Sequence, residues 1–354
     1  MIKPHSIVFA ALLAAGAAYV ASQWGHWGTG RQDLIPMALI TGGPEISPPG
    51  HVWIDTDAAC GAKARTDPDD CLAILWLVSH GADIAGLSTS FGNANGDVVA
   101  DRVAALVAQM ALDGMSVPPV FRGHGAPLGT GAAAPPGVIA LQAALEAGPL
   151  TILALGPLSN VASALEGRPD LQRNVTRIVA VMGHRAGHLF HPTEGKGTGA
   201  LFGHGPIFRD LNVSVDSAAT RTVLAMHLPM TLIPYDAARA TMITAADFDS
   251  LARQSPSHAW VAYTARDWLA FWNDDVGLAG FYPFDWIAAA YITDPALFKC
   301  AEVTARMARE WTFWIVPHQS LVVEMPATAG EREGSVALYC PETSALLHDV
   351  LIVQ

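Results

Sequence analysis

Between His51 and Met182 the chain alternates short apolar, β-compatible runs with longer runs of helical period, a pattern that few folds accept. His51 to Asp55, Ile84 to Ser90, Val120 with Phe121, Leu150 to Leu155 and Arg177 to Met182 read as strands. Asp69 to His80, Val98 to Leu112, Val138 to Ala147 and Asn160 to Leu165 read as helices between them. Parallel strands need long crossovers, and helices supply them. The class is therefore α/β: an open, mostly parallel Rossmann-like sheet with helices on both faces. Ligands of such sheets sit at the carboxyl ends of the strands. A Gly- and His-rich stretch from Gly183 to Gly205 reads as a long loop of functional type. Helical patterns return around Ser217 to Met226 and His258 to Trp272, and Trp311 to Val316 and Ser335 to Tyr339 read as strands.

Hydrophobic residues make up 51% and charged residues 15% of the 354, enough apolar side chain for a sizeable core and too much for wholesale disorder. The formal net charge of -12 repels phosphate backbones, so nucleic acid is excluded as a partner while a neutral small molecule is not. Residues 1–24 divide from the rest. Lys3 and His5 precede an apolar run from Ile7 to Ala21, the form of a signal peptide or an N-terminal membrane anchor. Residues 25–49, rich in Gly and Pro, read as a linker, and 50–354 as one catalytic domain. The expected location is periplasmic or extracytoplasmic, soluble or tethered, and a homo-oligomer stays open. Cys60, Cys71, Cys300 and Cys340 have no zinc spacing, and an exported chain leaves room for two disulfides.

Chemistry concentrates in the acids Asp55, Asp57, Asp67, Asp69 and Asp70. Asp55 and Asp57 close the first strand, where alternation points both to one side. Asp69 and Asp70 open an apolar helix, whose N-terminus favours carboxylates. Capping accounts for one or two of these acids but not for a strand-end pair facing them. Crowded carboxylates repel unless a cation lies among them, and an all-oxygen set favours Ca²⁺ or Mg²⁺.

The stretch Val52 to Leu75, VWIDTD…DPDDCLAIL, resembles the DTDPGxDDxxAI signature of the inosine-uridine nucleoside hydrolase family. Further likenesses follow in order. Phe91-Gly92-Asn93 resembles AGN, Ala154 to Asn160 resembles ALGPLTN, and Val181-Met182-Gly183 resembles VMGG. Asp210-Leu211-Asn212 with Asp216 resembles EFNxxxD, and Phe284-Asp285 through Asp294-Pro295 resembles HDPxAVAYLxDP. The resemblance implies a nucleoside hydrolase fold and one Ca²⁺ held by Asp57, Asp70, the Leu155 carbonyl and Asp285. It implies hydrolysis of the N-glycosidic bond of ribonucleosides by a metal-activated water whose proton passes to Asp57. Asp69, Asn93, Met182, Asp210, Asn212, Phe284 and Asp285 are the implied substrate contacts, with Asp210 standing where the family has Glu.

Three departures follow from the same alignment. The insertion Ala58–Asp67 splits the signature, so Asp67 competes with Asp57 for the metal role. It also places Cys60 beside Cys71, making these two a candidate bridge and Cys300 with Cys340 another. The loop after Met182 lacks the usual GNxTP run and carries His184, His188, His191 and His204. Phe284 replaces the His that protonates the leaving base, amid Phe281, Tyr282 and Trp286. A purine-specific branch has an aromatic residue there and activates the base by stacking, so purine nucleosides are the expected substrates. Three alternatives are a non-catalytic nucleoside- or ribose-binding protein, a hydrolase of another N-ribosyl compound, and a haloacid-dehalogenase-like phosphatase with its DxD strand end. The last leaves Asn93, Asn212 and Asp285 without a role.

Overall fold

The computed structural model describes residues 14–16, 50–129, 133–185, 209–312, 316–324 and 334–352. Among them a ten-stranded sheet runs in the order β3-β2-β1-β4-β5-β7-β12-β10-β11-β6. Its first half is parallel: β1 (Val52–Thr56), β2 (Ile84–Thr89), β3 (Val120–Arg122), β4 (Leu150–Ala154), β5 (Val175–Ala180) and β7 (Met230–Leu232). β12 (Ser335–Thr343) continues parallel to β7, while β10 (Phe298–Thr312) is antiparallel to β12 and to β11 (Val316–Glu324). The two-residue β6 (His184–Arg185) caps that edge, and β8 (Ile243–Thr244) pairs with β9 (Gly280–Phe281) apart from the main sheet.

Strand alternation divides the core into two layers. Val52 and Ile54 of β1 pack on one face and Trp53 on the other; Leu153 and Val179 join the first layer, Ile152 and Ile178 the second. Central strands buried on both faces read as continuous apolar runs, which is why VWIDT and LTILA show no polar alternation. The helices Asp69–Ser79 and Phe284–Thr293 pack together over the first face, and Pro136–Ala147, Ser159–Leu165 and Ser217–Ala225 cover the second. The strand order reverses at β1, between β2 and β4, so the crevice of an open α/β sheet falls at the ends of β1 and β4.

Several boundaries differ from the sequence reading. Trp311 to Val316 is not one strand: β10 ends at Thr312 and β11 begins at Val316. The helix expected over His258 to Trp272 is three pieces, Pro256–Thr264, Arg266–Phe271 and a π-helical turn Trp272–Val276 closed by left-handed Gly277. The Phe284–Thr293 helix carries almost no polar face, so it gave no amphipathic signal. The start of the Gly183–Gly205 loop forms β6; its remainder, the 25–49 linker and most of segment 1–24 lie outside the described residues. No helix among the described residues is long and apolar enough to cross a membrane.

Candidate active site

β1 ends at Thr56, so strand alternation no longer governs Asp57, and the two acids expected on one side part company. Asp55 turns into the second layer, where its Oδ1 accepts from Ser88 Oγ at 2.6 Å and Asn160 Nδ2 at 2.7 Å. Burial raises its pKa to about 7. Asp57 turns to the strand-end loops, accepting the Asn93 backbone N–H at 2.8 Å. Gly92 and Gly156 make room for it. A Cβ on Gly92 would fall 1.8 Å from Asp57 Oδ2, and one on Gly156 3.1 Å from its Cγ. Thr56 Oγ1 donates to Asp70 from the same strand end.

Two helix N-termini converge on this point. Asp69 and Asp70 occupy the first turn of one helix and Asp285 that of the other. The Asp285 backbone N–H donates to Asp69 Oδ2 at 3.0 Å, and carboxylate oxygens of Asp69, Asp70 and Asp285 all lie within 4.8 Å of one another. Helix dipoles favour anions here, but burial and mutual repulsion oppose three together. Asp57 joins through Asn93, whose Nδ2 donates to Asp70 Oδ2 at 3.1 Å and reaches Asp57 Oδ1 at 3.5 Å. Burial first, then neighbouring charge, holds Asp57 and Asp285 well above the usual carboxylate range and brings Asp70 to about 7. Asp67 is pushed up in the same way by burial and by Asp69, and it accepts the Asp69 backbone N–H at 3.2 Å, which ties the end of the insertion to the start of the helix. Asp285 Oδ1 is buried with no hydrogen-bond partner. An oxygen-only donor set, an orphaned carboxylate oxygen and stacked repulsion fit a hard cation.

The cluster forms the floor of a cavity of about 520 Å³. Asp57, Asp69, Asn93, Leu155, Met182, Asp210, Asn212, Phe284 and Asp285 all line it, as does Asp67; Asp70 is fully buried and does not line it. Two sequence-expected contacts are engaged by the protein itself. Asp210 caps the Leu211–Val215 helix through the Val213 N–H at 3.1 Å and accepts the Gly183 N–H at 2.7 Å. Asn212 Nδ2 donates to the Leu155 carbonyl at 2.6 Å and the Val181 carbonyl at 2.9 Å, leaving Oδ1 for an occupant. Of the aromatic group, Phe284 alone faces the cavity. Phe281 stacks on Phe248, Tyr282 meets Trp272 edge-on, and Trp286 meets Trp76. Tyr235, Trp268 and Trp272 also line the wall, and sequence reading missed them. Tyr235 follows β7, and position at a strand's carboxyl end was the available signal. Of the loop histidines, His184 lines the cavity; His188, His191 and His204 lie outside the described residues.

Both disulfides are present. Cys60–Cys71, with Cα atoms 6.4 Å apart, pins the insertion to the helix that carries Asp69 and Asp70. It thereby fixes Lys63, Arg65 and Thr66 at the cavity. Cys300–Cys340, at 4.0 Å, links β10 to β12 where their register shifts, and is closer than the usual window for such pairs.

The model of the inosine-uridine preferring nucleoside hydrolase family matches residues 52–320, about three quarters of the chain. The chain belongs to this family. Its members are hydrolases acting on N-glycosidic bonds. A pyrimidine-specific ribonucleoside hydrolase of Citrobacter koseri is 28% identical over 156 residues, 44% of this chain and 45% of that relative, so the match spans under half of the relative's length. A plant nucleoside hydrolase superposes with a TM-score of 0.68 at 17% identity, covering 86% of this chain and 98% of the other. A purine-preferring ribonucleoside hydrolase from Gardnerella vaginalis gives 0.65 at 16% identity, covering 85% and 96%. At such identities these likenesses show a shared fold, the family's mostly parallel α/β architecture.

Proposed function

We propose that this family member cleaves the N-glycosidic bond of ribonucleosides, purines in preference, giving ribose and free base. The observation that carries the reading is the convergence of Asp69, Asp70 and Asp285 on one spot of the cavity floor, with Asp285 Oδ1 unpartnered. Asp57, Asp70, Asp285 and the Leu155 carbonyl are the residues that would hold one Ca²⁺. When bound, the cation supplies Lewis acidity that makes water at the site a better nucleophile at neutral pH. Asp57, its carboxylate fixed by the Asn93 N–H, accepts the proton that water loses on attacking the anomeric carbon. Asp69, Asn93 and the free Oδ1 of Asn212 hydrogen-bond the ribose hydroxyls and orient the anomeric carbon. Asp210 is the carboxylate at the ribose 5′ end, and Met182 with Phe284 and Trp272 bounds the space for the base. Phe284 presents a flat apolar surface to that base, and purines, with a basic N7, leave more readily than pyrimidines in such a setting. The two disulfides support the reading of segment 1–24 as an export signal or tether, since they persist in oxidising compartments. Ribose release from inosine, guanosine, uridine and cytidine, measured with and without Ca²⁺, tests the proposal. Calcium-dependent turnover with purines ahead is expected. Tight nucleoside binding without turnover would assign a binding protein instead.

A further inference from the structure

A histidine of the cavity wall belongs to a largely buried ionisable pair with no part in the reading above. His184 Nε2 lies 2.7 Å from Glu310 Oε2, with the side chains 8% and 16% exposed. The pair spans the sheet edge: His184 is on β6, and Glu310 on β10 sits opposite His318 of β11. His184 lines the cavity and Glu310 does not. We propose that His184, oriented by Glu310, donates the proton that lets the base depart neutral. The proposal rests on the N-ribohydrolase reading and deepens it.

A heterocyclic base leaving as an anion is a poor leaving group, so a donor lowers the barrier. The phenyl ring of Phe284 has no proton to give. The acids of the floor surround the cation site, and the cations of the wall are lysine and arginine, side-chain types that are poor proton donors near neutral pH. Among the described residues the wall contains two imidazoles, His184 and His318. His184 is the buried one. Its carboxylate partner holds the ring through a hydrogen bond at Nε2, leaving Nδ1 as the nitrogen for an occupant. Asp210 adds negative potential. Arg185 opposes it, but pairs with Asp236 at 3.4 Å. His318 and Arg209 complete the charged surroundings from β11 and from the chain entering the Leu211–Val215 helix.

The step balances. The bond from C1′ to the base nitrogen breaks and its electron pair goes to the purine, while the His184 Nδ1 proton passes to purine N7. Water adds to C1′ and its proton goes to Asp57. Exchange with solvent returns one proton from Asp57 to His184.

The test compares inosine with p-nitrophenyl β-ribofuranoside, whose phenolate departs without protonation. In His184→Gln, kcat/KM on inosine is expected to fall about 100-fold or more while the nitrophenyl riboside loses less than about threefold. Glu310→Gln keeps a hydrogen-bonding partner and removes its charge, so the alkaline limb of the inosine pH–rate profile should move to lower pH. Wild-type turnover of inosine by His184→Gln, equal loss on both substrates, or an unshifted Glu310→Gln profile would each overturn the proposal. If the wild-type protein cleaves neither substrate, the hydrolase reading itself falls. If it cleaves both and the variants match it, only the role of His184 does.

Discussion

The backbone N–H of Asp285 donates to the Asp69 carboxylate at 3.0 Å across 216 positions of sequence. This bond joins the N-termini of two helices that pack side by side, and it sets three carboxylates around one point. Asp285→Ala keeps the N–H and removes only the side chain. The expected outcome is loss of Ca²⁺ binding by calorimetry together with loss of turnover, because a buried anionic ligand is gone. Retained calcium affinity would remove Asp285 from the ligand set.

Stability without cation should fall as pH rises. A carboxyl whose folded pKa lies above its unfolded value binds its proton more tightly when folded. For Asp55 and Asp70 that advantage is complete below the ordinary value of 3.8 and lost as pH climbs through about 7. Each shift corresponds to at most about 4 kcal/mol. Thermal unfolding in chelator should give a lower Tm at pH 8 than at pH 5, with Ca²⁺ restoring more at pH 8. A Tm that rises over this range in chelator would contradict the assignment.

Gly92→Ala probes the cradle of Asp57. The added methyl would overlap Asp57 Oδ2, and φ at this residue is 155°, where side chains are strained. A drop in kcat of more than about tenfold is expected, the scale set by misplacing a reacting group. Unchanged kcat would show that Asp57 is free to move without cost.

The two disulfides should separate in their effects. By loop length alone, removing Cys60–Cys71 costs about 3 kcal/mol and removing Cys300–Cys340 about 4 kcal/mol. Only the first anchors Lys63, Arg65 and Asp67 at the cavity, so Cys60→Ser/Cys71→Ser should raise KM for inosine while Cys300→Ser/Cys340→Ser should not. Denaturation midpoints and KM values on both variants check this. Equal KM in all three proteins would detach the insertion from the substrate.

Phe284→Ala should lower kcat/KM for inosine up to about tenfold, the worth of one aromatic contact. It should do less to uridine. Equal loss on both would point to cavity collapse rather than base stacking.

The order of strands and helices from β1 to β5 was legible because central parallel strands are apolar on both faces and their crossover helices carry clear periods. The acids at the strand end and helix start were legible because Asp57, Asp69 and Asp70 lie in one short stretch of chain that closes a strand and opens a helix. Motif order tied Asn93, Asn212 and Asp285 to them without showing how they meet. The tertiary structure decided the rest. Asp57 parts from Asp55 because β1 stops at Thr56, so the side on which it falls depends on the loop path and on Gly92 and Gly156. Asp210 and Asn212 spend hydrogen bonds on Gly183 and Leu155, partners brought near only when β4, β5 and the Leu211–Val215 helix assemble. Tyr235, Trp268, Trp272 and the His184–Glu310 pair reach the cavity from elements far apart in sequence. Local periodicity records which face of an element is apolar; it carries no information about which distant face will be packed against it, and the walls of this cavity are made of those distant contacts.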